Sequence, residues 1–177
     1  MIVLFLFSFL IDCFSQKKPL SDKLTLLSSV SDIPFDSCPT PYNDCGDNII
    51  WEIVKHGKSA ILPLIEKMSD TTYSKTYYKE NGKVIRIQTG VIAYLALEQI
   101  ISLPIAKITG HQFDVFTCGW YPYGLIGSLN SFKFRKTFQN KIRDYYTNTS
   151  FKWVKYSKDV ISRCARIHGI TGHYYEK

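Results

Sequence analysis

Two stretches hold the residue types with the greatest chemical reach. In Cys164-Ala-Arg-Ile-His168-Gly-Ile-Thr-Gly-His173 a thiol and an imidazole stand four residues apart, on one face of a helix, with a second imidazole just beyond it. Zinc takes four nitrogen or sulfur ligands in a tetrahedron, so Cys118 or His111 would have to complete such a site from elsewhere in the chain. Nothing in the spacing demands that. A paired or buried cysteine beside a histidine favoured by the negative end of a helix accounts for the same residues, and no metal site is expected. The second stretch offers His111, Asp114 and Cys118, the types of a base, an orienting carboxylate and a thiol nucleophile. All three fall in one short loop, whereas such groups usually converge from separate elements. No glycine-rich phosphate loop, Gly-x-Ser-x-Gly elbow or His-Glu-x-x-His motif is present. The expectation is therefore a non-catalytic protein without a cofactor, the alternative being a small exported hydrolase or metal-binding enzyme that uses this His, Cys and Asp set.

Charge points to surface chemistry instead. Residues 133–177 hold 11 Lys and Arg against 3 Asp and Glu, whereas residues 1–132 hold 11 against 12, so the formal charge of +7 belongs to the C-terminal quarter. Such asymmetry concerns partners and steering and says nothing about fold. Arg135, Lys136, Lys141, Arg143, Lys152 and Lys155 interleave with aromatic residues and form the expected binding face, with His111 and Trp120 of the aromatic His111–Tyr123 loop as the second candidate surface. A protein, or an anionic surface such as a lipid headgroup layer or an acidic glycan, is the expected partner. Nucleic acid ranks below these, because periodicity sends most of the neighbouring aromatics to the core.

The run Met1–Ser15 is apolar over Ile2–Ile11, about half the ~20 residues a membrane-spanning helix needs and the right length for the core of an export signal. Cys13 and Ser15 are small, and suit cleavage before Gln16. Residues 1–15 are thus read as a signal peptide, residues 16–46 as an irregular leader broken by Pro19, Pro34, Pro39 and Pro41, and residues 47–177 as a single helical domain. The mature chain is expected to be periplasmic or secreted, with no transmembrane segment. Four cysteines remain after cleavage, Cys38, Cys45, Cys118 and Cys164, an even number that suits disulfides in an oxidising compartment. Of three possible pairings, Cys38–Cys45 with Cys118–Cys164 is preferred, because the first two bracket a Pro-rich loop.

The elements that must position these residues are mostly helices. Asp47 can cap a helix ending near His56. Lys58–Met68 repeats apolar residues at helical spacing, Thr89 opens an almost wholly apolar helix through Ile101, and Ser131–Tyr146 carries Phe134, Phe138, Ile142 and Tyr145 as its inward stripe. A last helix is expected over Lys158–His168, capped by Ser157. Thr76–Ile87 is β-rich on both sides of Asn81-Gly82 and reads as a hairpin. Ile108-Thr-Gly-His111 recurs as Ile170-Thr-Gly-His173, which could mark two equivalent helix ends. Gly57-Lys-Ser-Ala-Ile-Leu-Pro-Leu-Ile-Glu-Lys-Met-Ser-Asp-Thr71 resembles the inner helix of a HEAT-type repeat. That resemblance covers about one repeat and implies a helical scaffold with a binding surface and no catalytic residues. The expected fold class is mainly α, HEAT-like helical hairpins packed as one domain with a β-hairpin insertion at residues 76–87.

Overall fold

The computed structural model describes residues 18–33, 45–80, 83–110, 112, 124–157 and 162–177. Helix α4 (Thr89–Glu98) lies at the centre, and every residue from Thr89 to Leu97 is buried. A helix that is apolar on all sides has no face to give to water, so the other elements pack around it. Its first amides are not capped by a side chain. Thr89 and Gly90 donate N–H groups to the carbonyls of Thr72 and Asp70, at 2.7 and 3.0 Å, and the Thr89 hydroxyl, expected as the cap, bonds that of Thr72 instead. The approach is close enough to require glycine: a Cβ on Gly90 would stand 2.2 Å from the Met68 carbonyl oxygen.

Around α4 run α1 (Leu20–Thr25) with a 3₁₀ turn (Leu26–Ser29), α2 (Asn48–Val54), α3 (Lys58–Lys67), α5 (Ile105–Thr109), α6 (Leu125–Asn130), α7 (Phe132–Asn148) and α8 (Arg163–Ile167). The supposed leader thus supplies helix, and its Leu27, Val30 and Ile33 join the core. Strands β1 (Tyr73–Glu80) and β2 (Lys83–Gln88) pair antiparallel, with a register irregularity between Tyr73 and Tyr77. Asn81-Gly82, the expected turn, lies outside the described residues. Strands β3 (Phe151–Lys155) and β4 (Gly172–Glu176) form a second, separate antiparallel pair.

The mainly α, HEAT-like fold class is therefore corrected. The protein is mostly helical but carries two small sheets, and its helices do not stack as hairpins: α2 packs on α1, the 3₁₀ turn and α4, while α3 packs chiefly on α4 and α7. Gly57, at φ +55°, turns the chain between α2 and α3 so that both helices reach α4 rather than each other. The last helix is short. Ser162 caps its described part by accepting the Ala165 N–H at 3.1 Å, and residues 158–161, where Ser157 is expected to open the helix, lie outside the described residues. The repeated Ile-Thr-Gly-His motif marks two different structures, since Gly110 ends α5 in a left-handed conformation whereas Gly172 lies in β4 beneath Trp153.

Candidate functional site

The side of α7 that the charge pattern assigns to solvent is in part a seam. Arg135 is 0% exposed. Its guanidinium donates to the carbonyls of Met68 (2.7 Å), Leu129 (2.5 Å) and Asp70 (3.3 Å) and to Oε1 of Gln88 (2.5 Å). One turn on, buried Gln139 donates Nε2 to the carbonyls of Ile65 and Glu66, and one turn further Arg143 grips the Glu66 carboxylate with Nε and Nη2, each at 2.8 Å. Residues 135, 139 and 143 are spaced by four, so they form one row along the C-terminal end of α3, Arg135 and Gln139 bonding its last carbonyls and Arg143 the Glu66 carboxylate. This removes Arg135 from the binding face and ties Arg143 to a carboxylate. Lys136 is exposed beside Gln139, Lys141 reaches the Thr109 carbonyl, and Lys152 and Lys155 stand exposed on opposite faces of β3. The six cations do not form a single face.

The described cysteines correct the pairing. Cys45 is bonded to Cys164, 119 residues away, with S–S 2.00 Å. Cys38–Cys45 and Cys118–Cys164 are both excluded, and Cys164 cannot serve His168 as a co-ligand. His168 stacks on Trp51 at 4.9 Å with the rings 5° apart, and the Trp51 indole N–H donates to the Cys45 carbonyl at 2.6 Å. Burial holds the His168 imidazole below its ordinary value. Among the described residues no cluster of three metal-ligating side chains occurs. Cys38, His111, Asp114, Cys118 and Trp120 lie outside the described residues, as do residues 1–15 and the Pro-rich loop.

What the fold does assemble is a cleft of about 160 Å³ between four separate segments. It is lined by the C-terminal end of α2 with Gly57, by Gln99 and Ile100 after α4, by residues 169–172 and by the aromatic side chains of Trp153 and Tyr174. Trp153 is 47% exposed, and its indole lies over Gly172, where a Cβ would come within 2.4 Å of the ring. Sequence reading missed this site because its parts come from distant segments, although Trp153 between two lysines was a visible cue. Lys55 supplies its one cation, paired with Glu52 at 2.8 Å. Glu52 also holds the buried Lys23, whose Nζ lies 3.4 Å from His56 Nε2. Hydrogen bonds from Lys55 and then Lys23 hold the Glu52 carboxyl below its usual range. An indole, a phenol, an amide, an amine and glycine backbone suit binding, since they offer stacking area and hydrogen bonds.

Beneath the cleft, His173 of β4 is buried with Nε2 2.9 Å from the Glu98 carbonyl oxygen, so the neutral ring donates there. Glu98 ends α4 and accepts the Tyr94 hydroxyl. Desolvation raises its carboxyl from 4.5 to about 7, against the lowering effect of that bond, while burial lowers His173, against the effect of its backbone bond. The two act oppositely on stability. A carboxyl raised in the folded state favours folding when protonated, so Glu98 stabilises below about pH 4.5 and that stabilisation is lost as pH rises to about 7. A depressed histidine stabilises above about 6.5, and that contribution is lost as pH falls. Glu98→Gln keeps an acceptor for Tyr94 and removes the first effect. It is expected to stabilise the protein at pH 8 by up to ~3 kcal/mol, with little change at pH 4. Urea unfolding at the two pH values checks this, and equal changes at both would contradict the burial of an ionising Glu98.

Comparison with protein-family models, curated proteins and solved structures finds no match for this chain.

Proposed function

We propose that this is an exported, non-catalytic binding protein whose partner is held at the Trp153 cleft. The observation that carries the reading is the exposed indole at the edge of a cleft drawn from four segments. A disulfide from Cys45, before α2, to Cys164, in α8, ties together the elements that lead into two of those segments. Disulfides persist in oxidising compartments, which supports export. The α7 cations are the weaker candidate surface, because Arg135 is buried and Arg143 is paired. Among the described residues no helix is long and apolar enough to cross a membrane.

The test compares what the oxidised protein retains from the exported fraction of its source with what two variants retain. Trp153→Ala is expected to lose the specifically bound partner. Lys136→Glu with Lys141→Glu is expected to keep it and to alter only its salt dependence, as screened surface charges do. Loss with the lysine variant and retention with Trp153→Ala would move the site to α7 and overturn the proposal.

A further inference from the structure

The two sheets treat their edges differently. In the first, the Val30 carbonyl accepts the Lys75 N–H at 2.9 Å on the β1 side. On the β2 side Asn130 acts as a single strand residue, accepting from the Gln88 N–H and donating to the Arg86 carbonyl, both at 3.0 Å. In the second sheet β4 is covered, because its Tyr174 exchanges backbone bonds with Ile100 and Ser102. Among the described residues, nothing pairs with the outer edge of β3.

Its register shows which groups are left over. Lys177 N–H bonds the Ser150 carbonyl and Tyr156 N–H the Thr171 carbonyl, so every second residue from Ser150 to Tyr156 faces β4. Phe151, Trp153 and Lys155 therefore turn their N–H and C=O groups outward, and among the described residues nothing bonds them. The Trp153 indole leans over Gly172, toward β4, and leaves that edge open. An open edge is a template for another strand, and proteins normally block it.

We propose that the β3 edge accepts an extended, acidic polypeptide segment as an added strand, alongside the Trp153 cleft. The proposal deepens the binding reading above and rests on it. Charge selects the occupant. Lys152 and Lys155 are exposed at this edge without a carboxylate partner among the described residues, one on each face of the strand. A second copy of the chain would bring the same lysines, and edge lysines discourage edge-to-edge pairing of like chains. An acidic strand instead meets Lys155 on the Trp153 face and Lys152 on the Val154–Tyr175 face, with an apolar residue opposite the indole. Lipid headgroups and glycans carry the charge but not the alternating N–H and C=O groups that the edge would pair.

The probe is a fluorescein-labelled synthetic nonapeptide with the core Glu-Thr-Val-Glu-Thr, titrated by anisotropy against the oxidised full chain at low and physiological salt. Micromolar to submillimolar binding is expected, weakened by salt, and lost when both core glutamates are replaced by lysine. Two further comparisons isolate backbone pairing. N-methylating alternate core amides should abolish binding for one set of positions and spare it for the other, since only one set faces β3. Lys155→Pro removes an outward N–H that an edge strand can forgo, and should bind at least roughly tenfold more weakly than Lys155→Ala, the effect of losing one or two backbone bonds. Equal effects of the two methylated sets, or no binding of the probe at all, would overturn strand addition. Retention by Trp153→Ala of the native partner judges the cleft separately. If Lys155→Pro fails to fold, the methylated peptides against the unaltered protein still decide.

Discussion

Arg135→Ala is expected to cost about 3–5 kcal/mol of folding stability, the penalty for emptying a fully buried ionic hydrogen-bonding position. The guanidinium answers three carbonyls and the Gln88 amide oxygen from one point between α3, α4, α6 and α7. Its removal leaves those acceptors, two of them fully buried and two half-buried, without their donor and opens a cavity beside Gly90, whose missing Cβ is what lets the side chain pass. Against a total of ~5–15 kcal/mol such a loss removes between about a fifth and all of the stability. Lysine should not rescue it, because a point charge cannot span acceptors set out for a planar fork. Urea unfolding monitored by far-UV circular dichroism measures both variants. If Arg135→Met, which restores bulk without donors, proves as stable as the unaltered protein, the hydrogen bonds contribute nothing net and the seam is only packing.

The second large effect concerns the bridge. Replacing Cys45 and Cys164 together by alanine is expected to cost ~4–5 kcal/mol by the chain-entropy argument for a loop of this size, within the ~2–5 seen for native disulfides. For a chain of this length that corresponds to a fall in Tm of roughly 10–15 °C. The loop is 119 residues in sequence, and its closure brings Trp51 over His168 at the back of the cleft. The near-ultraviolet circular dichroism of Trp51 should therefore weaken before the helices melt. Identical melting of the unaltered protein with and without reductant would show that the bridge is absent in solution.

How much of this was legible depends on the element. The apolar run of α4 announces its own burial, and alternation about Asn81-Gly82 points to β1 and β2. Arg135 was legible too, and was misread: it stands three residues before Phe138 and seven before Ile142, on the same arc of the helix, but its charge outweighed its position. Phe151–Tyr156 reads as extended, but its pairing into a second sheet could not be read from short-range pattern, since β3 and β4 are each five residues long and separated by α8. Strand pairing at that distance, like the choice of Cys164 as partner for Cys45, is decided by where the helices bring the chain. The cleft follows the same logic, because its four segments are far apart in sequence and the one motif among them, Ile170-Thr-Gly-His173, does not point to the other three.

The position of the bridge also sets how the molecule would respond to mechanical load. A pull on the two ends passes through Cys45 and Cys164 and bypasses everything between them. At ~3.5 Å per extended residue, the sequence separation of 119 between the two cysteines amounts to roughly 400 Å of chain that tension cannot draw out while the bond is intact. Helices α2 to α7 and the first three strands are then shielded from force, and among the described elements α1 with its 3₁₀ turn, the end of α8 and β4 are the ones that can be peeled away. Since β4 pairs with β3, tension on the C-terminus acts first on the strand beside the Trp153 rim.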